Sequence, residues 1–195
     1  MNPSMAKNGW SNKLLIILLF FPLFLFRTAQ AQVPLAHFKS VGFFTGFGLG
    51  IYPDGEYTPI FFSGEFDFAF HRQYKKDFFI WYLEPQVNLV SDNFAVNIEF
   101  GCNIGIGRIM KISPADYFYM KLGTGPHYIS AHVFNEARGF IFSDNFSTGF
   151  YHRLTRENLF LNLQLRLRHI SNADLKYPNG GINTINFLIG LSRIK

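Results

Sequence analysis

The chain lacks most of the features that mark common classes of protein. It has a single cysteine among 195 residues, which excludes a framework of disulfide bonds and a metal site built from several cysteines. Charged residues make up only 16% of the chain and hydrophobic residues 48%, a balance that argues against disorder. Beyond residue 36 there is no sustained helical periodicity and no apolar run long enough to cross a membrane as a helix.

The N-terminus has the pattern of a secretory signal peptide. Residues 14–26 form an unbroken apolar run, preceded by lysines and followed by the small residues Ala29 and Ala31 at the positions that specify cleavage. The run is shorter than the ~20 residues that a membrane-spanning helix needs, so a transmembrane anchor is the less favoured alternative. We therefore expect residues 1–31 to be cleaved and residues 32–195 to form the mature domain.

Removal of this segment also removes most of the excess positive charge. Lys7, Lys13 and Arg27 account for three of the five surplus charges in the formal net charge of +5. A strongly basic protein would suggest binding to nucleic acid, but the small remaining excess gives no such indication. We expect no nucleic-acid partner.

The rest of the chain is dominated by apolar and polar residues that alternate with a period of two, which is typical of β-strands. In the clearest case leucine stands at every second position, between residues that are polar or cationic apart from Phe160: Leu159, Leu161, Leu163, Leu165 and Leu167. Eight such segments are found, at about 40–51, 60–70, 78–90, 94–110, 117–129, 140–150, 158–171 and 183–193. Each has about ten residues or more, whereas strands of soluble proteins usually have about five or six.

Strands of this length with one apolar face predict an all-β fold, an eight-stranded antiparallel transmembrane β-barrel in the outer membrane of a Gram-negative bacterium. Only a closed barrel satisfies every backbone polar group in lipid. Eight strands enclose an interior that side chains just fill, so we expect the inward acids and bases to pair with one another instead of lining a transport channel. These residues are Glu65, Asp67, Glu84, Glu99, Lys121, Arg166 and Arg168. With a periplasmic N-terminus, residues 172–182 form an extracellular loop.

Two motifs that suggest a cofactor have simpler explanations. Gly46, Gly48 and Gly50 resemble a phosphate-binding glycine run, but no helix pattern follows them, and inward glycines that let a small barrel bend fit better. His127 and His132 form a candidate metal pair without a third ligand. We therefore expect no metal and no cofactor.

Polar residues interrupt the apolar face near the end of the seventh predicted strand. The parity of its leucines places His169 and Ser171 on the lipid-facing side, with Cα atoms roughly 6.5–7 Å apart. A serine beside an imidazole is a nucleophile beside a general base. Asn183 lies on the same face of the eighth predicted strand and supplies a third group that orients the imidazole. The alternative is a polar girdle where the strands meet lipid headgroups.

The loop between these two strands contains groups suited to stabilising an oxyanion. Asn172 and Asn179 offer amide donors, and the Gly180–Gly181 pair lets backbone N–H groups approach the same point. The site would lie at the extracellular end of the outward face, where the ester bonds of outer-leaflet lipids are found. The pattern therefore indicates ester hydrolysis.

The segment from Arg168 to Asn183 resembles the C-terminal active-site segment of the lipid A 3-O-deacylase family, also described as acyloxyacyl hydrolase-like; its sequence is RHISNADLKYPNGGIN. The resemblance implies an eight-stranded outer-membrane barrel that acts as a serine esterase, with His169 as general base and Ser171 as nucleophile. It places Asn172 and Asn179 in the polar network near the oxyanion. It also implies that the partner is lipid A, or lipopolysaccharide, in the outer leaflet, and that the substrate is its ester-linked 3-O hydroxyacyl chain.

One position departs from the family pattern. The acid of the family, a Glu that orients the histidine, aligns with Asn183. An Asn carbonyl still accepts a hydrogen bond from the imidazole and fixes its tautomer, but it has no charge with which to stabilise the imidazolium. Asp174 or a carboxylate from another strand stays open as a substitute.

Two other functions stay open on the sequence alone. A non-enzymatic eight-stranded barrel, serving as a structural or adhesive surface protein with a degenerate site, fits the same fold. A phospholipid esterase would apply the same chemistry to another lipid ester. The oligomeric state, monomer or homodimer, is also open.

Overall fold

A computed structural model of the chain describes residues 39–51, 57–73, 77–92, 95–131, 133, 136–155 and 157–195. The expected signal peptide at residues 1–31 and the histidine at position 132 lie outside the described residues. Within the described part of the chain, no helix is long and apolar enough to span a membrane.

Eight antiparallel strands form a closed barrel in which each strand pairs with its neighbours in the chain and the last pairs with the first. The strands are β1 (Lys39–Gly50), β2 (Thr58–Gln73), β3 (Asp77–Asp92), β4 (Ala95–Lys111), β5 (Asp116–Ile129), β6 (Gly139–Arg153), β7 (Leu159–Ser171) and β8 (Ile182–Ile194). Their lengths, from 12 to 17 residues, are sufficient for tilted strands to cross a bilayer. The structure confirms the predicted fold class and all eight predicted strands.

The barrel has an apolar outer wall and a polar interior. On β7 the outward side chains of Leu163, Leu165 and Leu167 are 49%, 40% and 47% exposed, whereas Arg166 and Arg168 between and beside them are 1% and 3% exposed. Successive side chains of a strand point to opposite faces, so one strand supplies both surfaces. The exposed apolar wall is the surface that a membrane barrel presents to lipid.

The interior charges pair with one another, as predicted. Lys121 Nζ lies 2.7 Å from a carboxylate oxygen of Glu65 and 2.8 Å from one of Asp67. The Arg166 guanidinium lies 2.6 Å from Glu84. Because all five side chains are buried, removal of one partner would leave an uncompensated charge in the interior.

A third interior cluster lies nearer to the loop that connects β7 to β8. Arg168 forms an ion pair with Glu99 and donates a hydrogen bond to Ser143 Oγ at 2.8 Å. His127 Nδ1 lies 2.8 Å from the same Glu99 carboxylate. His127 therefore belongs to the packed interior of the barrel.

Some strands extend further than the alternation predicts. β2 ends at Gln73, not at residue 70, and β6 ends at Arg153, not at residue 150. In these extensions Gln73 pairs with Asp77, and Arg153 pairs with Phe160. Pairing between strands depends on backbone hydrogen bonds, so polar residues beyond the lipid-facing part of the wall continue the ladder.

The glycine run near the start of the barrel belongs to the barrel wall. Gly46, Gly48 and Gly50 all lie within β1. A Cβ atom on Gly46 would lie 2.1 Å from the backbone oxygen of Phe187 on β8, so glycine is required for the close approach of the two strands. The expectation that these glycines do not form a phosphate-binding loop is consistent with their position.

The two ends of the barrel differ in the length of their connections. Residues 130–138 and 172–181, which connect β5 to β6 and β7 to β8, lie at one end because neighbouring strands are antiparallel. The same end also carries the connections at residues 51–57 and 93–94, and the other end carries residues 74–76, 112–115 and 154–158. Three of the four connections at the first end are longer than any at the other end, and residues 93–94 are the exception. Bacterial barrels have short periplasmic turns and longer extracellular loops, so we expect the end with residues 172–181 to be the extracellular one.

Candidate active site

A row of four polar residues crosses the outer wall near the end of the barrel that carries residues 172–181. Thr124 on β5 pairs with Asp144 on β6, and Asp144 pairs in turn with His169 on β7. His169 pairs with Asn183 on β8. Side chains directly opposite each other on antiparallel strands have Cβ atoms about 4.5–5.5 Å apart, so the members of this polar row are neighbours.

The imidazole of His169 is held by Asn183. Its Nδ1 lies 2.9 Å from Asn183 Oδ1. An amide oxygen only accepts hydrogen bonds, so Nδ1 carries the proton and the neutral ring keeps Nε2 as an acceptor. This tautomer is the one in which an imidazole can take a proton from a nucleophile at Nε2.

Ser171 occupies the next outward position on β7, opposite Phe142 on β6. It is half-buried, and its hydroxyl makes no hydrogen bond with any residue that the structure describes, His169 included. The two side chains share one face of β7 at adjacent outward positions. Catalytic hydrogen bonds of this kind are often long or poorly aligned before a substrate binds, so the free hydroxyl is compatible with a nucleophile.

The two asparagines of the 172–181 loop cross-link the loop itself. Asn172 is 1% exposed, and its amide donates to the carbonyl oxygens of Lys176 at 2.6 Å and Pro178 at 3.2 Å. Its backbone N–H donates to Asn179 Oδ1 at 2.9 Å. The side-chain N–H groups of Asn172 are therefore engaged within the loop, and an oxyanion contact from them stays a prediction.

The loop backbone reaches the imidazole at Gly181. The φ angle of Gly181 is 70°, and a Cβ atom there would lie 2.4 Å from Cε1 and 3.0 Å from Nε2 of His169. Only glycine combines this backbone conformation with so close an approach. Gly180 precedes it at the exposed surface of the loop. The loop therefore lies against the edge of the ring that carries Nε2.

A second loop is attached to the first. Glu136, in the connection between β5 and β6, forms a β-bridge with Asn179. The N–H of Ala137 donates to the carbonyl oxygen of Pro178 at 2.9 Å. These backbone contacts fix the 172–181 loop relative to β5 and β6 as well as to its own strands.

The side chain of Glu136 is buried beside the site. It is 1% exposed, and its Oε2 accepts a hydrogen bond from the Gly181 N–H at 3.2 Å. Burial raises the pKa of the Glu136 carboxyl above its usual range, while the Gly181 N–H, Asn172 and His169 act in the opposite direction.

Sequence patterns reveal only one of the two carboxylates near His169. Strand alternation cannot indicate Glu136, because it lies in a loop. Asp144 is detectable as a polar residue on the outward face of the sixth predicted strand, between Phe142 and Phe146.

An apolar groove lies on the outer wall, on the same face of β7 as the polar row. Its volume is about 550 Å³, and its lining includes Phe47, Phe118, Phe150, Leu163, Leu165 and Phe187. Leu165 lies four residues before His169, which is roughly 13 Å along the strand. The lining and its distance from the imidazole suit an apolar chain attached to a group at the polar row.

Residues able to hold a metal ion are not clustered in the part of the chain that the structure describes. No group of three or more His, Cys, Asp or Glu side chains is arranged for metal binding there. His127 contacts Glu99 inside the barrel, and the other histidine of the candidate pair lies outside the described residues.

The chain is similar to known proteins in its sequence family and in its fold. A family model described as "Lipid A 3-O-deacylase (PagL)" matches residues 6–192. No curated protein matches the sequence of the chain.

Solved structures share the fold at low sequence identity. The crystal structure of the outer membrane enzyme PagL has a TM-score of 0.61 and 15% identity, over 77% of this chain and 97% of that chain. Ail, the attachment invasion locus protein of Yersinia pestis, has a TM-score of 0.51 and 12% identity, over 81% of this chain and 97% of that chain. At these identities the likeness is one of fold.

Proposed function

Because the chain belongs to the lipid A 3-O-deacylase family and is an eight-stranded barrel of the Gram-negative outer membrane, we propose that it is a serine esterase acting on lipid A. The proposed reaction removes the ester-linked 3-O hydroxyacyl chain from a glucosamine of lipid A. The substrate lies in the outer leaflet, beside the outer wall of the barrel, and its polar part lies level with the polar row.

In the proposed mechanism Ser171 Oγ attacks the carbonyl carbon of the ester while Nε2 of His169 takes the hydroxyl proton. The tetrahedral intermediate collapses, the bond to the glucosamine oxygen breaks, and His169 returns the proton to that oxygen. Water then attacks the acyl-serine, again with His169 as base, and the hydroxy acid is released. Asn183 holds Nδ1 throughout and keeps Nε2 directed toward the reaction.

The 172–181 loop is the proposed source of donors for the oxyanion. Asn172, Asn179 and Gly180 are its proposed members. The side-chain N–H groups of Asn172 and Asn179 would exchange their hydrogen bonds within the loop for one to a bound carbonyl. The hydrogen bonds of Asn172 to its own loop support a role in fixing the shape of this donor set. Donors held in place before the reaction stabilise a developing charge without reorganisation.

One observation carries the proposal: a histidine with its Nδ1 held 2.9 Å from an acceptor stands next to a serine on a lipid-facing wall. Polar residues on such a surface are unfavourable in lipid, and where they occur they commonly mark a functional site. The apolar groove on the same face supports a lipid substrate, because it can accept an acyl chain attached to the reacting ester.

Mass spectra of lipid A from cells that produce the protein test the proposal. We expect loss of one hydroxyacyl chain with the wild type and no loss with Ser171→Ala. Ser113→Ala, in the turn at the opposite end of the barrel, is the matched control and should behave as the wild type. Identical lipid A spectra for wild type and Ser171→Ala, with both proteins present in the outer membrane, would show that the chain is not a lipid A deacylase.

The same samples distinguish two further functions. A phospholipid esterase would release ordinary fatty acids in place of 3-hydroxy acids, since the polar row alone does not select one lipid ester. A non-enzymatic surface barrel is favoured by the uncharged residue at position 183. It would leave both lipid classes unchanged in all variants.

We also propose that residues 1–31 are removed during export, so that the mature barrel comprises residues 32–195. The intact mass of the protein purified from outer membranes tests this, because the mature chain would begin at Gln32. The mechanism needs only one chain, and the comparisons give no support to a homodimer.

A further inference from the structure

Among the residues that the structure describes, the proposed base has no charged partner within hydrogen-bonding distance. Asn183 accepts a hydrogen bond from His169 but is neutral, whereas a nearby carboxylate would stabilise the cation formed when the ring takes a proton. Asp174 is exposed and, within the described residues, makes no contact with His169. Two other carboxylates lie nearby: Asp144 pairs with His169 across the β6–β7 ladder, and Glu136 accepts the N–H of Gly181, which approaches the ring.

Asp144 is the more exposed of the two. It lies opposite His169 across the ladder, and its carboxylate accepts a hydrogen bond from Thr124 at 2.6 Å. Exposed charges are weakened by solvent and by salt, so an exposed carboxylate contributes little to the stability of a cation nearby. Asp144 is therefore the weaker source of charge.

Glu136 is less exposed to solvent than Asp144. It is 1% exposed, and its Oε2 accepts the Gly181 N–H at 3.2 Å, while Gly181 is in contact with the His169 ring. Its Oε1 is buried and has no hydrogen-bond partner among the described residues, which also provide no cation paired with it. The charge of this carboxylate is therefore compensated only in part.

We propose that Glu136 is a positioning residue of the site, which holds Gly181 against His169 and supplies the negative charge that Asn183 lacks. This inference rests on the proposed function. A buried carboxylate with one unsatisfied oxygen is unfavourable for folding and needs an explanation. The geometry offers one, because Gly181 joins this carboxylate to the His169 ring and a protonated ring would lie close to an opposite charge.

Turnover by three variants tests the role of the charge. Glu136→Gln keeps an acceptor for Gly181 but removes the charge, and we expect kcat to fall about tenfold with little change in KM. Glu136→Ala also removes the acceptor and should lower kcat by about a hundredfold. Asp144→Asn, the comparison carboxylate, should lower kcat by less than about threefold. Wild-type activity in Glu136→Gln, or a larger loss in Asp144→Asn, would overturn the proposal.

An acidic residue at position 183, as in the family pattern, tests whether Glu136 acts through its charge or only through its contact with Gly181. Asn183→Glu places a carboxylate beside Nδ1, so the charge of Glu136 should then matter less. We expect the effect of Glu136→Gln to shrink from about tenfold to less than about threefold in the Asn183→Glu background. If Glu136→Gln reduces kcat by the same factor in both backgrounds, Glu136 does not act through the charge on His169.

Hydrogen exchange of the Gly181 amide tests the contact without turnover. In the folded barrel in detergent micelles, Glu136→Ala should speed exchange at Gly181 by at least about tenfold, whereas Glu136→Gln should not speed it. Unchanged exchange in Glu136→Ala would overturn the positioning role whether or not lipid A is the substrate. If Gly181 is protected but the wild type does not deacylate lipid A, the proposed function is wrong and the contact stands.

Discussion

Both faces of β7 carry polar side chains, but these side chains differ in how they are paired. On the inner face, Arg168 is buried, forms an ion pair with Glu99 and donates to Ser143. On the outer face, the next residue, His169, has one neutral acceptor on Nδ1, Asn183, and keeps Nε2 for another group. The charge of Arg168 is thus paired within the barrel. The side of the wall on which a polar residue lies therefore separates a structural role from a functional one more clearly than its chemical type does.

The largest effect should come from the outer face of β7. His169→Ala removes the proposed base and should lower the release of 3-hydroxy acid by about 10⁴-fold or more. Because the side chain is only half-buried and packs in no interior cluster, stability should change by less than about 1 kcal/mol. Release rates from lipid A and urea unfolding of the detergent-folded barrel measure the two quantities. Activity of His169→Ala within tenfold of the wild type would contradict a functional role for the outer face of β7.

A change on the inner face should have the opposite signature. Arg168→Met leaves the buried Glu99 carboxylate without its cation and should destabilise the barrel by about 3–5 kcal/mol. Adding Glu99→Gln removes the second charge and should recover part of that loss. Urea unfolding of the single and double variants measures both. If Arg168→Met abolishes activity and leaves stability unchanged, the inner face is part of the functional site.

Gly181 connects the two loops to the outer face, and its substitution should have an intermediate effect. In Gly181→Ala the positive φ and the approach to His169 should together destabilise the fold by about 1–3 kcal/mol and lower activity by about a hundredfold through displacement of the ring. Gly139 has a φ of 124° but open space where a Cβ would lie. Gly139→Ala is therefore the control for backbone strain alone, and equal losses of activity in both variants would contradict the role of the contact with the ring.

The fold was predictable because a membrane barrel repeats one rule along every strand. Alternation identifies all eight strands, and the parity of Leu163, Leu165 and Leu167 places His169 on the outer face. The ends of β2 and β6 were predicted too short, because the ladder continues through polar residues that have no lipid to face. Parity along a strand therefore predicts which face a residue occupies better than it predicts where the strand ends.

Strand parity could predict the candidate site only where it lies on strands. The outward positions of His169 and Asn183 follow from parity, and the pairing of β7 with β8 follows from their succession in the chain. That His169 stands directly opposite Asn183 depends on the register of the two strands. The polar row also depends on the register of β6 with β7, which places Asp144 opposite His169 and is set by backbone pairing along the whole ladder. Glu136 reaches the site through a loop, where neither periodicity nor register gives a signal.

The smallest expected effect concerns the pH dependence of the contact between the two loops. Burial raises the pKa of Glu136 above its unfolded value of about 4.3, against the opposing effects of the Gly181 N–H, Asn172 and His169. The folded chain therefore binds this proton more tightly than the unfolded chain does. The stabilising contribution is complete below about pH 4.3 and is lost as pH rises through the raised folded value, above which Glu136 is ionised.

Glu136→Gln has no such titration and should resemble the wild type only at low pH. The exchange rate of the Ala137 amide, which donates to Pro178 across the two loops, measures local opening of the contact. The ratio of the wild-type rate to the Glu136→Gln rate should be near one at about pH 4 and should rise toward neutral pH. Because the ratio cancels the intrinsic pH dependence of exchange, a flat profile would mean that ionisation of Glu136 does not weaken this contact. A rising profile would show that the charge of Glu136, beside the outer face, weakens the contact between the two loops. The charge of Arg168 on the inner face is instead paired with that of Glu99.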